Sequence, residues 1–190
     1  VAYPKTNVKL VGFMPGIDSL LGVSHQAIDD IALMRALPNM TIIEPAGPAD
    51  YEDAVKAALA HQGPVYLRLY RANSHFSHSS SFPPLGIGKI RKLSSGEDAV
   101  IFATGLMVEI ALQASKKLKK DSINATVVDC ASIKPLDVEG ILKVVSGCKI
   151  IVSAENHTVV GGLGSAIADV IASNNIARPF FRIGVQDCFA

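Results

Sequence analysis

Apolar positions along the chain follow two rhythms. Short apolar runs, KLVGF at 9–13, TII at 41–43 and VYLRL at 65–69, read as buried strands. Between them apolar residues recur at helical spacing. Ile28, Ile31, Ala32 and Leu37 predict a helix directly after Ser24-His25-Gln26. Ser24 suits its N-cap, Asp29 and Asp30 its positive end, and Pro38 its stop. Residues 48–61 predict a second helix: Pro48 fits a first turn, and Ala54, Val55, Ala58 and Leu59 form one apolar face. Gly63 fits its C-terminal cap. Farther along, strands are predicted at 99–104, 125–129, 149–154 and 179–183, with helices at 106–119, 137–145 and 162–173 between them. Apolar strands alternating with helices imply a parallel sheet covered on both faces.

Residues 72–88 break this alternation. They hold Asn73, a run of serines, His75, His78 and Pro83-Pro84, the composition of a linker. The fold class is therefore α/β: two three-layer α/β units, the second with a mostly parallel sheet flanked by helices. The boundaries fall at 1–72 for the first unit, 73–88 for the linker and 89–190 for the second.

A length of 190 residues fits one large domain or two small ones. Eighteen basic and seventeen acidic residues give a net charge of +1, which offers nothing to attract nucleic acid. The longest apolar stretches are interrupted by Glu109 and Asp169 and are too short to span a bilayer. No charged-then-apolar leader is visible. Three cysteines without metal spacing, Cys130, Cys148 and Cys188, read as reduced, mostly buried thiols in a cytoplasmic protein. The chain opens at Val1 close to a strand and ends at Ala190 just after one, which reads as a piece of a longer chain.

Four features could carry chemistry. His25 stands at a loop-to-helix junction, where an imidazole can exchange a proton with a substrate oxygen; a structural hydrogen bond is the plainer role. Arg68 and Arg71 end a strand, which suits capture of phosphate or carboxylate, or a salt bridge between domains. Glu155-Asn156-His157 closes another strand, where open α/β sheets bind ligands, although an interface or structural hydrogen-bond role is the plainer reading. Gly161-Gly162-Leu163-Gly164 follows that strand, but Ile167 stands where a dinucleotide loop needs a third small residue. It reads as a tight helix–sheet contact. His75 and His78 lack a carboxylate or cysteine nearby and make a poor metal site.

SHQAIDDIALMRALPNMTIIEPA (24–46) resembles the transketolase family, and IVSAENHTVVGGLGSAIADVIA (151–172) resembles the same family's C-terminal domain. The opening VAYPK and the later FRIGV fit short, two-subunit transketolases. The resemblance implies part of a pyrimidine-binding domain followed by the C-terminal domain of a thiamine-diphosphate- and Mg²⁺-dependent enzyme that moves a two-carbon ketol unit between sugar phosphates. It implies a homodimer, or a heteromer with a subunit carrying the pyrophosphate domain, with the active site between subunits. His25 falls on the family's active-site histidine and Arg71 on its phosphate-gripping arginine; Ser24 and Gln26 flank the histidine as substrate-binding candidates. No cofactor or metal ligand is assignable in this chain.

Two positions depart from the family. Leu21 stands where an aspartate reads a substrate hydroxyl, and Phe13 where a second histidine is expected. A hydroxyl left without its acceptor costs about 1–3 kcal/mol. An altered donor or acceptor sugar is one consequence. A non-catalytic fragment or assembly subunit that docks on a pyrophosphate-domain partner is a second reading. A small-ligand regulatory module at 156–164 is a third.

Overall fold

A computed structural model of the chain describes residues 1–19, 21–70 and 82–189. The first half contributes β1 (Lys9–Phe13), α1 (Asp30–Ala36), β2 (Thr41–Ile43), α2 (Tyr51–Ala60) and β3 (Val65–Leu69). The second contributes β4 (Arg91–Lys92), β5 (Ala99–Ala103), α3 (Met107–Leu118), β6 (Ala125–Asp129), β7 (Ser132–Lys134), α4 (Val138–Val145), β8 (Ile150–Thr158), α5 (Leu163–Ser173) and β9 (Phe180–Val185).

Two sheets result, each between helical layers. The first has the order β1-β3-β2-β7, with β3 parallel to both neighbours. Alternation along β3 sorts its two faces. Val65 and Leu67 pack with Ala54 and Ala58 of α2, while Tyr66 joins Ile31 of α1 with Ile42 and Ile133. The second sheet has the order β4-β6-β5-β8-β9, parallel throughout except for β4. Val100, Phe102 and Ile151 pack against Ile141 of α4 and Leu163 and Ile167 of α5. Ala99, Ile101 and Val127 pack on the other face against Val108 and Ala111 of α3.

The two halves are interleaved. β7 belongs to the second half of the chain yet pairs antiparallel with β2 and closes the first sheet. Its Ile133 is buried, and its Lys134 donates to the carbonyls of Arg35 (2.8 Å) and Leu37 (2.6 Å), where α1 leaves acceptors free. Neither β7 nor the two-residue β4 stands out in the apolar pattern, because both are too short to show a period. The described end of the expected linker is packed down as well: Leu85 is buried against β3 and α2, and Gly88 N donates to Ser132 Oγ at 2.8 Å.

Other expectations shift. The first helix begins at Asp30, with Asp29 rather than Ser24 at its cap. Ser24 lies in a separate 3-10 turn, Val23–His25. Gly63 sits two residues past the cap of α2, which is His61. Cys130 and Cys148 are buried, but Cys188 is exposed.

Candidate active site

The parallel register of β1 and β3 places Phe13 beside Leu69, so both strands end at one sheet edge. The segment 14–27 leaves from that edge and returns. Met14 N donates to Leu69 O (2.9 Å) and Gly16 N to Ala27 O (2.8 Å), closing the base of the loop. Gln26 Nε2 donates to Ser19 O at 2.9 Å and braces it across the middle. Gly22, at φ +86°, starts the turn that carries Ser24 and His25, and His25 N donates back to Gly22 O at 2.9 Å.

His25 is exposed, and its Nδ1 lies 3.1 Å from Ser24 Oγ. Four residues separate it from the start of α1, so the helix dipole does not act on it. Its chemistry comes from an accessible imidazole on a braced turn. Ser24 is exposed beside it, while Gln26 is partly buried, with its amide nitrogen used inside the loop and its Oε1 buried without a protein partner. Phe13 and Leu21 are 61% and 63% exposed. Arg71, His75 and His78 lie outside the described residues, and Tyr70 is the last one before that gap.

Arg68 carries no phosphate-binding role in this geometry. Its side chain is fully buried, and its ion pairs stay within the first unit. Nε and Nη2 reach the Asp30 carboxylate at 2.8 and 3.0 Å, and Nη1 pairs with Glu44 and with Tyr70 Oη. Nη2 also donates to Ala27 O (3.0 Å) and to Asn156 O (3.1 Å) in the second unit. Burial pushes the Asp30 carboxyl up, but the Arg68 guanidinium and the Tyr66 hydroxyl outweigh it and hold it below the usual carboxylate range.

Glu155-Asn156-His157 lies inside β8 and is buried. Glu155 caps α5, accepting from Leu163 N (2.6 Å) and Gly164 N (2.9 Å). Burial lifts its carboxyl to about 7 against the pull of those amides. A Cβ on Gly162 would collide with that carboxylate, which explains the glycine. His157 Nδ1 donates to Thr158 O at 2.7 Å, leaving Nε2 to accept from Ala32 N at 3.3 Å. Burial lowers its pKa, in keeping with the neutral ring those two bonds require.

A second buried ion cluster joins the units. Arg91 of β4 pairs with Asp129 of β6 and with Asp50, just ahead of α2. Sequence reasoning missed Asp30, Glu44 and Asp50 as partners; Arg68, at a strand end, and Glu155-Asn156-His157, as an interface or structural segment, carried a signal. The described residues contain no group of three or more His, Cys, Asp or Glu placed to hold a metal, and no helix long and apolar enough to cross a membrane.

Comparison with known proteins matches residues 1–75 to the transketolase pyrimidine binding domain and residues 88–190 to the transketolase C-terminal domain. A putative transketolase C-terminal section from Methanocaldococcus jannaschii is 41% identical over 191 residues, covering 100% of this chain and 60% of that protein. A 6-deoxy-6-sulfo-D-fructose transketolase subunit from a Clostridium species is 41% identical over 190 residues, covering 100% of this chain and 58% of that one. Among solved structures, a split-gene transketolase described as an inactive beta4 tetramer superposes with a TM-score of 0.91 at 42% identity, over 100% of this chain and 60% of the other. The chain thus spans about 60% of the length of these relatives.

Proposed function

Because the chain belongs to the transketolase family, we propose that it is part of a thiamine-diphosphate-dependent enzyme that transfers a two-carbon ketol unit between sugar phosphates. Residues 1–72 form part of the pyrimidine-binding domain, 73–88 a linker and 89–190 the C-terminal domain. The observation that carries this reading is the placement of His25: an accessible imidazole on a turn whose base is closed by hydrogen bonds.

His25 moves a proton at a substrate oxygen, with Ser24 Oγ against its Nδ1. Arg71 anchors the substrate phosphate, and Ser24 and Gln26 bind the substrate beside His25, Gln26 also bracing the loop through Ser19 O. Thiamine diphosphate supplies the electron sink for breaking and making the carbon–carbon bond. The donor set of this chain fits one side of such a site. It offers an imidazole and a hydroxyl, while the described residues offer no metal-holding cluster. By the family resemblance, the Mg²⁺ and diphosphate ligands belong to a pyrophosphate domain, supplied in a homodimer or by a partner subunit of a cytoplasmic heteromer.

The test is ketol transfer by the complete protein and any partner subunit, with a panel of ketose phosphate donors and aldose phosphate acceptors. His25→Ala is expected to lower kcat by about 10²–10⁴-fold, the usual yield of a positioned acid–base group. Absence of transfer with every pair would defeat the reading.

The exposed Phe13 and Leu21 favour a second reading, an enzyme of this family with a less hydroxylated substrate. They equally suit an assembly surface, and the split-gene relative forms a tetramer described as inactive. Thiamine diphosphate titration of this chain alone separates an assembly subunit, which does not bind it tightly, from a self-sufficient enzyme.

A further inference from the structure

The loop that carries His25 is exposed, yet its base is held from the second unit. Gly16, at φ +75°, lies so close to the Asn156 amide that a Cβ there would collide with it. Asn156 Oδ1 accepts from Ile17 N at 3.0 Å, fixing the corner where the loop departs. The Asn156 carbonyl accepts from Arg68 Nη2 at 3.1 Å. The same nitrogen donates to Ala27 O at 3.0 Å, where the loop returns. Two residues on, Thr158 N donates to Ile28 O at 2.7 Å. One stretch of β8 therefore grips both ends of segment 14–27. Asn156 is only 4% exposed, and no other element supplies an acceptor to Ile17 N among the described residues.

We infer that Asn156 is a positioning residue for the reaction: its side-chain oxygen sets the Gly16–Ile17 corner and thereby the placement of His25. The second unit then controls the geometry of an acid–base group that belongs to the first. This inference rests on the role proposed for His25. The side chain meets the loop at Gly16 and Ile17, and its effect passes through that corner. A displacement of about 1 Å at such a group costs on the order of 10²-fold in rate.

The experiment is a double-mutant cycle in the complete protein with its partner subunit, reading kcat for ketol transfer. Asn156→Ala is expected to lower kcat by about 10–100-fold in the native background. In the His25→Ala background it should change kcat by less than about twofold, because a misplaced group that is already gone cannot be lost again. Equal losses in both backgrounds would show a general structural effect and overturn the inference. So would an unchanged kcat in folded Asn156→Ala protein. Should that variant fail to fold, Asn156→Leu keeps the volume, removes the acceptor and enters the same cycle. An undiminished kcat in His25→Ala itself would instead overturn the role of His25, a separate result from the failure of the coupling.

Discussion

Two apolar side chains define what is unusual at the scale of single residues. Phe13 and Leu21 stand largely in solvent, on a segment that the family resemblance places against a polar sugar. Because Leu21 is 63% exposed, Leu21→Asp should alter stability by no more than about 0.5 kcal/mol, and any change in turnover then reports on the pocket. In the complete protein it is expected to raise kcat/KM for ordinary sugar phosphates about fivefold or more, the worth of one hydrogen bond to a substrate hydroxyl. An unchanged or lower value would mean that the pocket serves another substrate. Asp129 makes a second prediction at this scale. Burial, with the neighbouring Asp50 and Glu44 carboxylates, lifts its carboxyl to about 6 against the pull of Arg91. Its Oδ1 has no hydrogen-bond partner among the described residues. Between an unfolded value near 3.8 and that folded value, the native state holds the extra proton. The stability it contributes is full below the window and lost as pH rises through it. Urea unfolding should therefore show wild type losing on the order of 2–3 kcal/mol relative to Asp129→Asn between pH 4 and pH 7. A constant difference across that range would count against it.

Elements were legible in the sequence to the extent that each was long enough to show a period. The five-residue strands β1, β3, β5 and β6 and the helices α2 to α5 are where their apolar spacing predicts, within a residue or two at most ends. β7 has three residues, and its partner β2 lies about ninety positions away, so no local pattern could reveal it. The start of α1 was misread for a different reason. Ile28 is buried like a helical residue, but a bond from Thr158 N to its carbonyl holds it in a non-helical segment, and Gly22 turns the chain ahead of Ser24. A tertiary contact overrode a local cap signal. The site shows the same limit: His25 was readable by motif, while the Asn156 contact across 139 positions was not. Glu155 tests the element scale directly. It supplies the N-terminal cap of α5 from a neighbouring strand, so Glu155→Ala strands two buried amides at Leu163 and Gly164. The expected loss is about 1–3 kcal/mol in urea unfolding at pH 8, where the carboxylate is charged and accepts both bonds. Unchanged stability would mean that water replaces the cap.

At the scale of the whole molecule, two cores are joined by buried charge. Each sheet has its own apolar clusters, and polar contacts bind the units: Arg68, paired with Asp30 and Glu44 inside the first unit, donates to the Asn156 carbonyl of the second, and Arg91, paired with Asp129 inside the second, reaches Asp50 of the first. Buried ion pairs add little stability over an apolar substitute, but removing one partner leaves a charge stranded. Arg68→Met strands Asp30 and Glu44 together and is expected to cost about 3–5 kcal/mol. Adding Glu44→Gln should recover part of that loss, since one of the stranded charges goes with it. Lys149→Ala, at a pair whose side chains are 75% and 32% exposed, should leave urea unfolding almost unchanged. The shape of the transition is the sharper readout. If the buried charges hold the units in one cooperative structure, wild type unfolds in a single step by fluorescence and circular dichroism alike, and Arg68→Met separates the two probes. A single coincident transition in that variant would place the coupling elsewhere. Among the remaining links are β7 in the first sheet, the hydrogen bonds from Asn156, His157 and Thr158 to the first unit, and the Arg91 cluster, and Arg91→Met would be the next substitution to test.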